Sequence, residues 1–129
     1  MKKLIIMATV LLSFNFVNAQ EVGRARINNV VVLENNGKVV IKTESGIFVS
    51  TVETSGAADA ALNSSGNEVV VTYDNGKVVV RTTTGILVST VESSNARSAK
   101  WSGNDIIVTY NDGKIVKRSK SGILISTIK

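Results

Sequence analysis

A threefold internal repeat dominates this sequence. The segment VVVLENNGKVVIK (residues 30–42) recurs as VVVTYDNGKVVVR (69–81) and again as IIVTYNDGKIVKR (106–118). A second shared segment, with Ser or Thr, then Gly-Ile, and later Ser-Thr, follows each copy at residues 45–52, 84–91 and 121–128. The sequence therefore predicts one structural unit of about 40 residues that is repeated three times.

Each copy is predicted to be β-structure. An Asn-Gly or Asp-Gly pair lies between two β-branched runs, which is a strong hairpin signal because a type I′ turn needs positive φ at both central residues. A second glycine, at positions 46, 85 and 122, marks another tight turn, so each copy contains a three-stranded antiparallel meander. Weaker segments at about residues 23–27, 58–63 and 97–102 predict a fourth strand for each copy, about 12 in all. The continuous valine runs favour sheets that are covered on both faces.

The order of these elements resembles a β-propeller blade of the WD-repeat type. In the third copy the resemblance lies in Trp101-Ser102-Gly103-Asn104-Asp105, the Asn111-Asp112-Gly113 turn, the Ser121-Gly122 turn and the strand at 123–128. It covers nearly all of residues 20–129 and implies four-stranded blades. The Gly-His and Trp-Asp dipeptides of that family are absent, so the resemblance implies no functional residue.

The resemblance implies an all-β fold of three tandem four-stranded antiparallel repeats, propeller-like and equal to half a ring. The repeats span about residues 22–54, 55–93 and 94–129. Propellers close with typically four to eight blades, so three blades leave two apolar sheet faces in water. A homodimer that closes a six-bladed ring removes both faces. The alternative is a β-trefoil, which also has three repeats of four strands but closes as a monomer.

The N-terminus has the pattern of a secretory signal peptide. Lys2 and Lys3 precede an apolar run of about 14 residues, and Val17 and Ala19 are small residues three and one before a cut. Cleavage is predicted between Ala19 and Gln20, which leaves residues 20–129 as a single β domain. The alternative, a membrane anchor, needs roughly 20 apolar residues. We therefore expect an exported protein, periplasmic or secreted, with no membrane span after cleavage.

Missing residue types exclude most catalytic chemistry. The sequence has no His and no Cys, which removes Ser-His-Asp and Cys-His nucleophiles, His- or thiolate-bound metals and disulfides. Acidic residues such as Asp74 and Asp112 lie in turns and are interpreted as turn residues rather than calcium ligands. The sequence predicts no enzyme, no catalytic residue, no cofactor and no metal.

Cations recur at fixed positions. Lys38, Lys77 and Lys114 follow the first turn of each copy, and Lys42, Arg81 and Arg118 follow four residues later. They are interpreted as solvated edge residues rather than as a repeated site for phosphate, sulfate or acidic glycans. After removal of the leader, 13 cations and 10 carboxylates remain, a balance of +3. Aromatic residues are sparse, so no nucleic acid partner is expected.

The candidate ligand-binding residues are Tyr73, Tyr110, Trp101, Lys117 and Arg118. The two tyrosines are repeat-equivalent and Trp101 is the only tryptophan, so a sugar could stack on these rings. Because Trp101 has no aromatic counterpart in the other repeats, packing in the core or between blades is favoured over ligand stacking for its ring. Lys117 and Arg118 belong to the most basic repeat, which could attract anions. The leading hypothesis is a non-enzymatic β-repeat module that serves as a binding or structural scaffold at the cell envelope, with a glycan, an envelope protein or another copy of itself as the partner. The alternative is a secreted carbohydrate-binding, lectin-like protein.

Overall fold

The structure of the chain, a computed structural model, describes residues 28–129. This part of the chain contains eleven strands. They are β1 (Asn29–Leu33), β2 (Val39–Thr43), β3 (Phe48–Glu53), β4 (Ala57–Leu62), β5 (Glu68–Tyr73), β6 (Val78–Thr82), β7 (Leu87–Glu92), β8 (Ala96–Ser102), β9 (Asp105–Tyr110), β10 (Ile115–Arg118) and β11 (Leu124–Thr127). Over the same residues there is no helix that could cross a bilayer. The predicted leader lies outside the described residues.

The strands form three separate antiparallel meanders. The first sheet has the order β1-β2-β3, the second β4-β5-β6-β7 and the third β8-β9-β10-β11. The all-β prediction is confirmed, and β4 and β8 are the fourth strands predicted near residues 58–63 and 97–102. The fourth strand predicted at residues 23–27 lies outside the described part. Between residues 28 and 129 no strand pairs with a strand of another sheet, and the sheets do not close on one another.

Consecutive valines bury both faces of the middle sheet. Because successive side chains of a strand point to opposite faces of the sheet, consecutive valines pack against different adjacent sheets. Those that pack with the first sheet are Val69, Val71 and Val79. Those that pack with the third sheet are Val70, Val78 and Val80. All six are at most 1% exposed, and each buried side chain of this size contributes about 1.5–3 kcal/mol.

The first turn of each of the first two repeats docks on the backbone of the next repeat. The amide of Ala57 donates to the carbonyl of Gly37 at 3.0 Å, and the amide of Ala96 donates to the carbonyl of Gly76 at 3.0 Å. A Cβ on Gly76 would lie only 2.4 Å from the nitrogen of Asn95, and its φ is +85°. Glycine is required here both by the turn and by the close approach.

The second turns of the second and third repeats dock on the outer strand of the preceding repeat. The Oγ of Ser50 donates to the carbonyl of Thr83 at 2.6 Å, and the Oγ of Ser89 donates to the carbonyl of Lys120 at 2.6 Å. A Cβ on Gly85 would lie 2.9 Å from the carbonyl oxygen of Val52. Polar contacts therefore fix the order and offset of the stack.

We predict that Gly76→Ala destabilises the fold more than Gly66→Ala. Both glycines have positive φ, +85° and +75°, but no described atom lies within 4 Å of a Cβ on Gly66. The left-handed conformation alone costs alanine about 1–2 kcal/mol, and the backbone overlap at Gly76 adds roughly 1–3 kcal/mol. Urea unfolding followed by circular dichroism measures both variants. Equal losses would contradict the docking role of Gly76.

Candidate functional site

A glutamate, a tyrosine and an arginine meet where the first and second sheets join. Glu53 ends β3 in the first sheet, while Tyr73 ends β5 and Arg81 lies in β6 of the second. The Tyr73 hydroxyl donates to Oε2 of Glu53 at 2.5 Å, and Nε of Arg81 donates to that hydroxyl at 3.0 Å. Nη2 of Arg81 lies 3.3 Å from Oε2 of Glu53. We call these three residues the first junction triad.

The same arrangement recurs where the second and third sheets join. The Tyr110 hydroxyl donates to Oε2 of Glu92 at 2.6 Å and accepts from Nε of Arg118 at 3.1 Å. Nη2 of Arg118 is 3.3 Å from Oε2 of Glu92. Glu92, Tyr110 and Arg118 form the second junction triad. The repeat thus joins its own copies by a polar contact as well as by valine packing.

Local structure sets each triad. The tyrosine and the arginine are eight residues apart, on adjacent strands joined by the Asn-Gly or Asp-Gly hairpin. Nη1 of Arg81 also donates to the carbonyl of Gly85 at 2.9 Å, and Nη1 of Arg118 to that of Gly122 at 2.8 Å. The planar guanidinium therefore holds the second turn and the glutamate at once, which an ammonium group would not do with the same geometry.

In each triad the pKa of the glutamate is lowered and the pKa of the tyrosine is raised. Burial by itself raises the pKa of the Glu53 carboxyl, but the hydrogen bonds from Tyr73 and Thr54 and the charge of Arg81 outweigh it and hold that pKa below its ordinary 4.5. Burial and the bond to Glu53 raise the pKa of Tyr73 above its ordinary 10.0. Glu92 and Tyr110 show the same directions. At neutral pH each triad therefore holds a carboxylate, a neutral phenol and a guanidinium.

Each triad lines an open cavity. The cavity at the first junction has about 300 Å³ and is also lined by Asn75 and Lys77. The cavity at the second junction has about 460 Å³ and is also lined by Asn111 and Lys114. These cavities offer hydroxyl, amide and ammonium groups to a polar ligand. Within residues 28–129 no group of three or more acidic side chains is placed to hold a metal ion.

The structure divides the predicted ligand residues among separate places. Tyr110 and Arg118 meet in the second junction triad, whereas Tyr73 belongs to the first. Trp101 packs against the core between the second and third sheets, and its Nε1 donates to the carbonyl of Ala61 at 2.9 Å. Lys117 faces outward on the third sheet, 3.8 Å from the carboxylate of Asp105. The five residues do not form one site.

The glutamates of the triads were not identified from the sequence. Glu53 and Glu92 follow the Ser-Thr-Val segment in the first two repeats, and this equivalence was the available signal. Of the recurrent cations, Lys77 and Arg81 do line one cavity, and so do Lys114 and Arg118. The two arginines are, however, already paired with glutamates across the junctions.

A second repeated surface is apolar. The first two residues of each outer strand and the one residue before that strand have large hydrophobic side chains. Their exposure ranges from 42% to 68%. They are Ile47, Phe48 and Val49 in the first repeat, Ile86, Leu87 and Val88 in the second, and Ile123, Leu124 and Ile125 in the third. We call these nine residues the apolar stripe. It follows the free edges β3, β7 and β11 of the three sheets.

No protein-family model matches the chain, and no curated protein is significantly similar to it in sequence. Its function therefore has to be argued from its own geometry.

We predict that Tyr73→Phe and Tyr110→Phe each lower the free energy of unfolding by about 1–2 kcal/mol. Each change removes one hydroxyl that bridges a carboxylate and a guanidinium, and hydrogen bonds to charged groups contribute about 1.5–3 kcal/mol. Because the two triads lie at different junctions, the two losses should add in the double variant. Urea unfolding measures them. A loss below about 0.3 kcal/mol in both single variants would contradict this stabilising role.

Acid should also weaken the fold through the triads. The pKa values of Glu53 and Glu92 are lower in the folded chain than their ordinary value, so their contribution is fully present above pH 4.5. It is lost as the pH falls through their folded pKa values. Unfolding in urea between pH 6 and pH 3 should show a smaller acid loss for the Glu53→Gln, Glu92→Gln double variant than for the unaltered chain. An identical loss would assign the acid sensitivity to other carboxylates.

Proposed function

We propose that this protein is an exported, non-enzymatic binding or structural scaffold at the cell envelope, and that the apolar stripe is its contact surface. The stripe carries the proposal because it places the same three large apolar side chains on every repeat. Exposed contiguous apolar patches on soluble domains mark interaction sites more often than not, since leaving them in water is unfavourable. Its periodicity distinguishes it from single exposed residues, which are common on any surface.

The chemistry of the stripe favours a protein partner. It contains one aromatic ring, Phe48, and eight aliphatic side chains, and aliphatic groups offer a sugar little of the stacking that its ring requires. The stripe also follows free strand edges, whose main-chain groups can pair with an extended segment of a partner. An envelope protein with an apolar, extended segment is the class of partner that fits.

We further propose that the three sheets are propeller-like blades that make half a ring. Sequential meanders, one per repeat, packed face to face support this arrangement. The alternative β-trefoil is less favoured, because within residues 28–129 every strand pair lies inside one repeat. The triads and the turn contacts then hold adjacent blades together rather than act as reactive groups. Within each triad the glutamate and the arginine are paired with each other.

A carbohydrate-binding function is the second candidate. It is supported by the two repeat-equivalent cavities, each of which combines a tyrosine, an arginine and a lysine at a sheet junction. Against it, both tyrosine hydroxyls are already bonded to glutamates and Trp101 is committed to core packing. Its ligand would therefore contact Lys77 or Lys114 and the neighbouring amides instead of stacking on free rings.

The test of the scaffold function places a charge in the centre of each part of the stripe. The triple variant Phe48→Lys, Leu87→Lys, Leu124→Lys should lose capture of an envelope protein that the unaltered chain retains from a cross-linked envelope extract. It should also lose enhancement of anilinonaphthalene sulfonate fluorescence, because the dye binds apolar surface. The matched control is Thr90→Lys, an exposed polar position on β7, which should keep both. Unchanged capture by the triple variant would refute the stripe as the contact surface.

The carbohydrate hypothesis is tested separately. A glycan array probed with the unaltered chain and with the Lys77→Ala, Lys114→Ala variant should give sugar binding that depends on the two lysines if the cavities are lectin sites. Absence of binding by the unaltered chain at millimolar sugar would eliminate this candidate without affecting the stripe.

A further inference from the structure

The ends of the stack differ from its internal junctions at positions that would face each other between two copies of the chain. Each internal junction has a glutamate on one sheet, Glu53 or Glu92, and a tyrosine on the next. On the third sheet the equivalent of these glutamates is Lys129, whose carbonyl accepts from the amide of Ile115 at 2.9 Å. Lys129 thus lies opposite Ile115 in the third sheet, as Glu92 lies opposite Val78 in the second.

The first sheet carries the complementary exchange. Glu34 stands where the second and third repeats have Tyr73 and Tyr110. In the triads the glutamate faces a phenol and a guanidinium. Between two copies Lys129 would instead face the Glu34 carboxylate and Lys42, the equivalent of Arg81 and Arg118, so that Glu34 lies between two ammonium groups. Lys129 and Glu34 have no ion-pair partner within residues 28–129. Lys129 and Glu34 can form a salt bridge with each other only where the third sheet of one copy meets the first sheet of another.

A second position repeats this logic. At the second junction Nζ of Lys120 lies 2.8 Å from Oε1 of Glu68. The equivalents at the ends are Glu44 on the first sheet and Asp105 on the third. Two carboxylates would repel each other, but Lys117 replaces an apolar residue and holds its Nζ 3.8 Å from Asp105. Its ammonium group thus lies where Glu44 of a second copy would arrive.

Both ends of the stack also keep the glycine and serine positions that make backbone contacts at the internal junctions. A Cβ on Gly85 or Gly122 would lie 2.9 Å from a carbonyl oxygen of the preceding outer strand, whereas a Cβ on Gly46 would have no described atom within 4 Å. Gly46 would find the same carbonyls on a third sheet. That sheet keeps Ser126, the exposed equivalent of Ser50 and Ser89, which donate across the internal junctions.

The third sheet also keeps most of an apolar docking face. Ile107, Ile115 and Ile128 are the equivalents of Val70, Val78 and Val91, which are buried against the next sheet. Ile128 is 57% exposed. On the first sheet Val30 and Val40 are the equivalents of the buried Val69 and Val79. Val30 is 38% exposed and Val40 is 1% exposed. An apolar centre with a charged rim is the usual anatomy of a specific protein interface.

We propose that the partner of these two ends is a second copy of this chain, docked head to tail. The third sheet of each copy packs on the first sheet of the other, with Lys129 paired with Glu34 and Lys117 with Glu44. Two such junctions close a ring of six sheets, a number within the closing range of propellers. This inference builds on the scaffold function proposed above, but it uses the ends of the stack and not the apolar stripe.

Charge reversal tests the junction. Multi-angle light scattering of the protein isolated at its natural N-terminus should give twice the mass of one chain. Glu34→Lys adds a third ammonium group beside Lys42 and Lys129, which should raise the dissociation constant about tenfold per junction and about a hundredfold for a pair closed by two. The combined variant Lys129→Glu, Glu34→Lys should return to within about threefold of the unaltered chain. Asp74→Lys, which reverses an exposed charge on the middle repeat, is the control and should leave the mass unchanged.

A steric variant gives an independent test. Gly46→Ala should abolish the double mass because its Cβ would meet the carbonyls of the second copy, while Gly66→Ala, with a similar positive φ, should keep it. A single-chain mass at all concentrations up to about 100 µM, or failure of the combined charge variant to restore pairing, would overturn the proposal. The Phe48, Leu87 and Leu124 substitutions should leave the mass unchanged. Loss of stripe binding and loss of pairing are therefore distinguishable.

Discussion

Burial of both faces of the middle sheet is the constraint on which the rest of this structure depends. This sheet by itself would leave valines on both of its faces in water, which is unfavourable, and the chain has no cysteine with which to form a disulfide. Its valines must therefore be covered on each side by another sheet. Runs such as Val69 to Val71 meet this need because alternate valines of one run pack against the sheets on opposite sides. The repeat is stable only as a stack.

Apolar packing by itself would not fix how the sheets are stacked. Valine faces are nearly uniform, and one sheet could slide or rotate on another at small cost. The junction triads and the turn contacts at Gly76 and Gly85 remove this freedom, since a hydroxyl, a carboxylate and a guanidinium must meet at hydrogen-bond distance. Buried or half-buried polar groups that lose their partners are costly. The polar contacts thus select one arrangement among many of similar apolar area.

A stack of this kind leaves two kinds of surface, and each has its own chemistry. Its outer edge carries the apolar stripe, which is the same on every repeat. Its ends carry the departures from the repeat, with Glu34 and Glu44 on the first sheet and Lys117 and Lys129 on the third. The repeated surface suits a partner that contacts all repeats at once. The charged ends suit a partner that continues the stack, which is why the two proposals concern different faces of the molecule.

The sequence by itself determined the repeat, the strands and the turns. Local rules suffice for these, because Asn-Gly turns and β-branched runs act within a few residues, and the fourth strands β4 and β8 followed from the same pattern. The sequence also indicated that Tyr73 and Arg81 would lie near the same hairpin. It did not indicate Glu53, since the contact between Glu53 and Tyr73 joins two repeats and depends on how the sheets stack. For Trp101 the sequence favoured packing in the core or between blades, and the structure places it against the core with its Nε1 bonded to the carbonyl of Ala61. Only the tertiary structure decided which side of each outer strand remains in water, because exposure depends on where the neighbouring sheet ends.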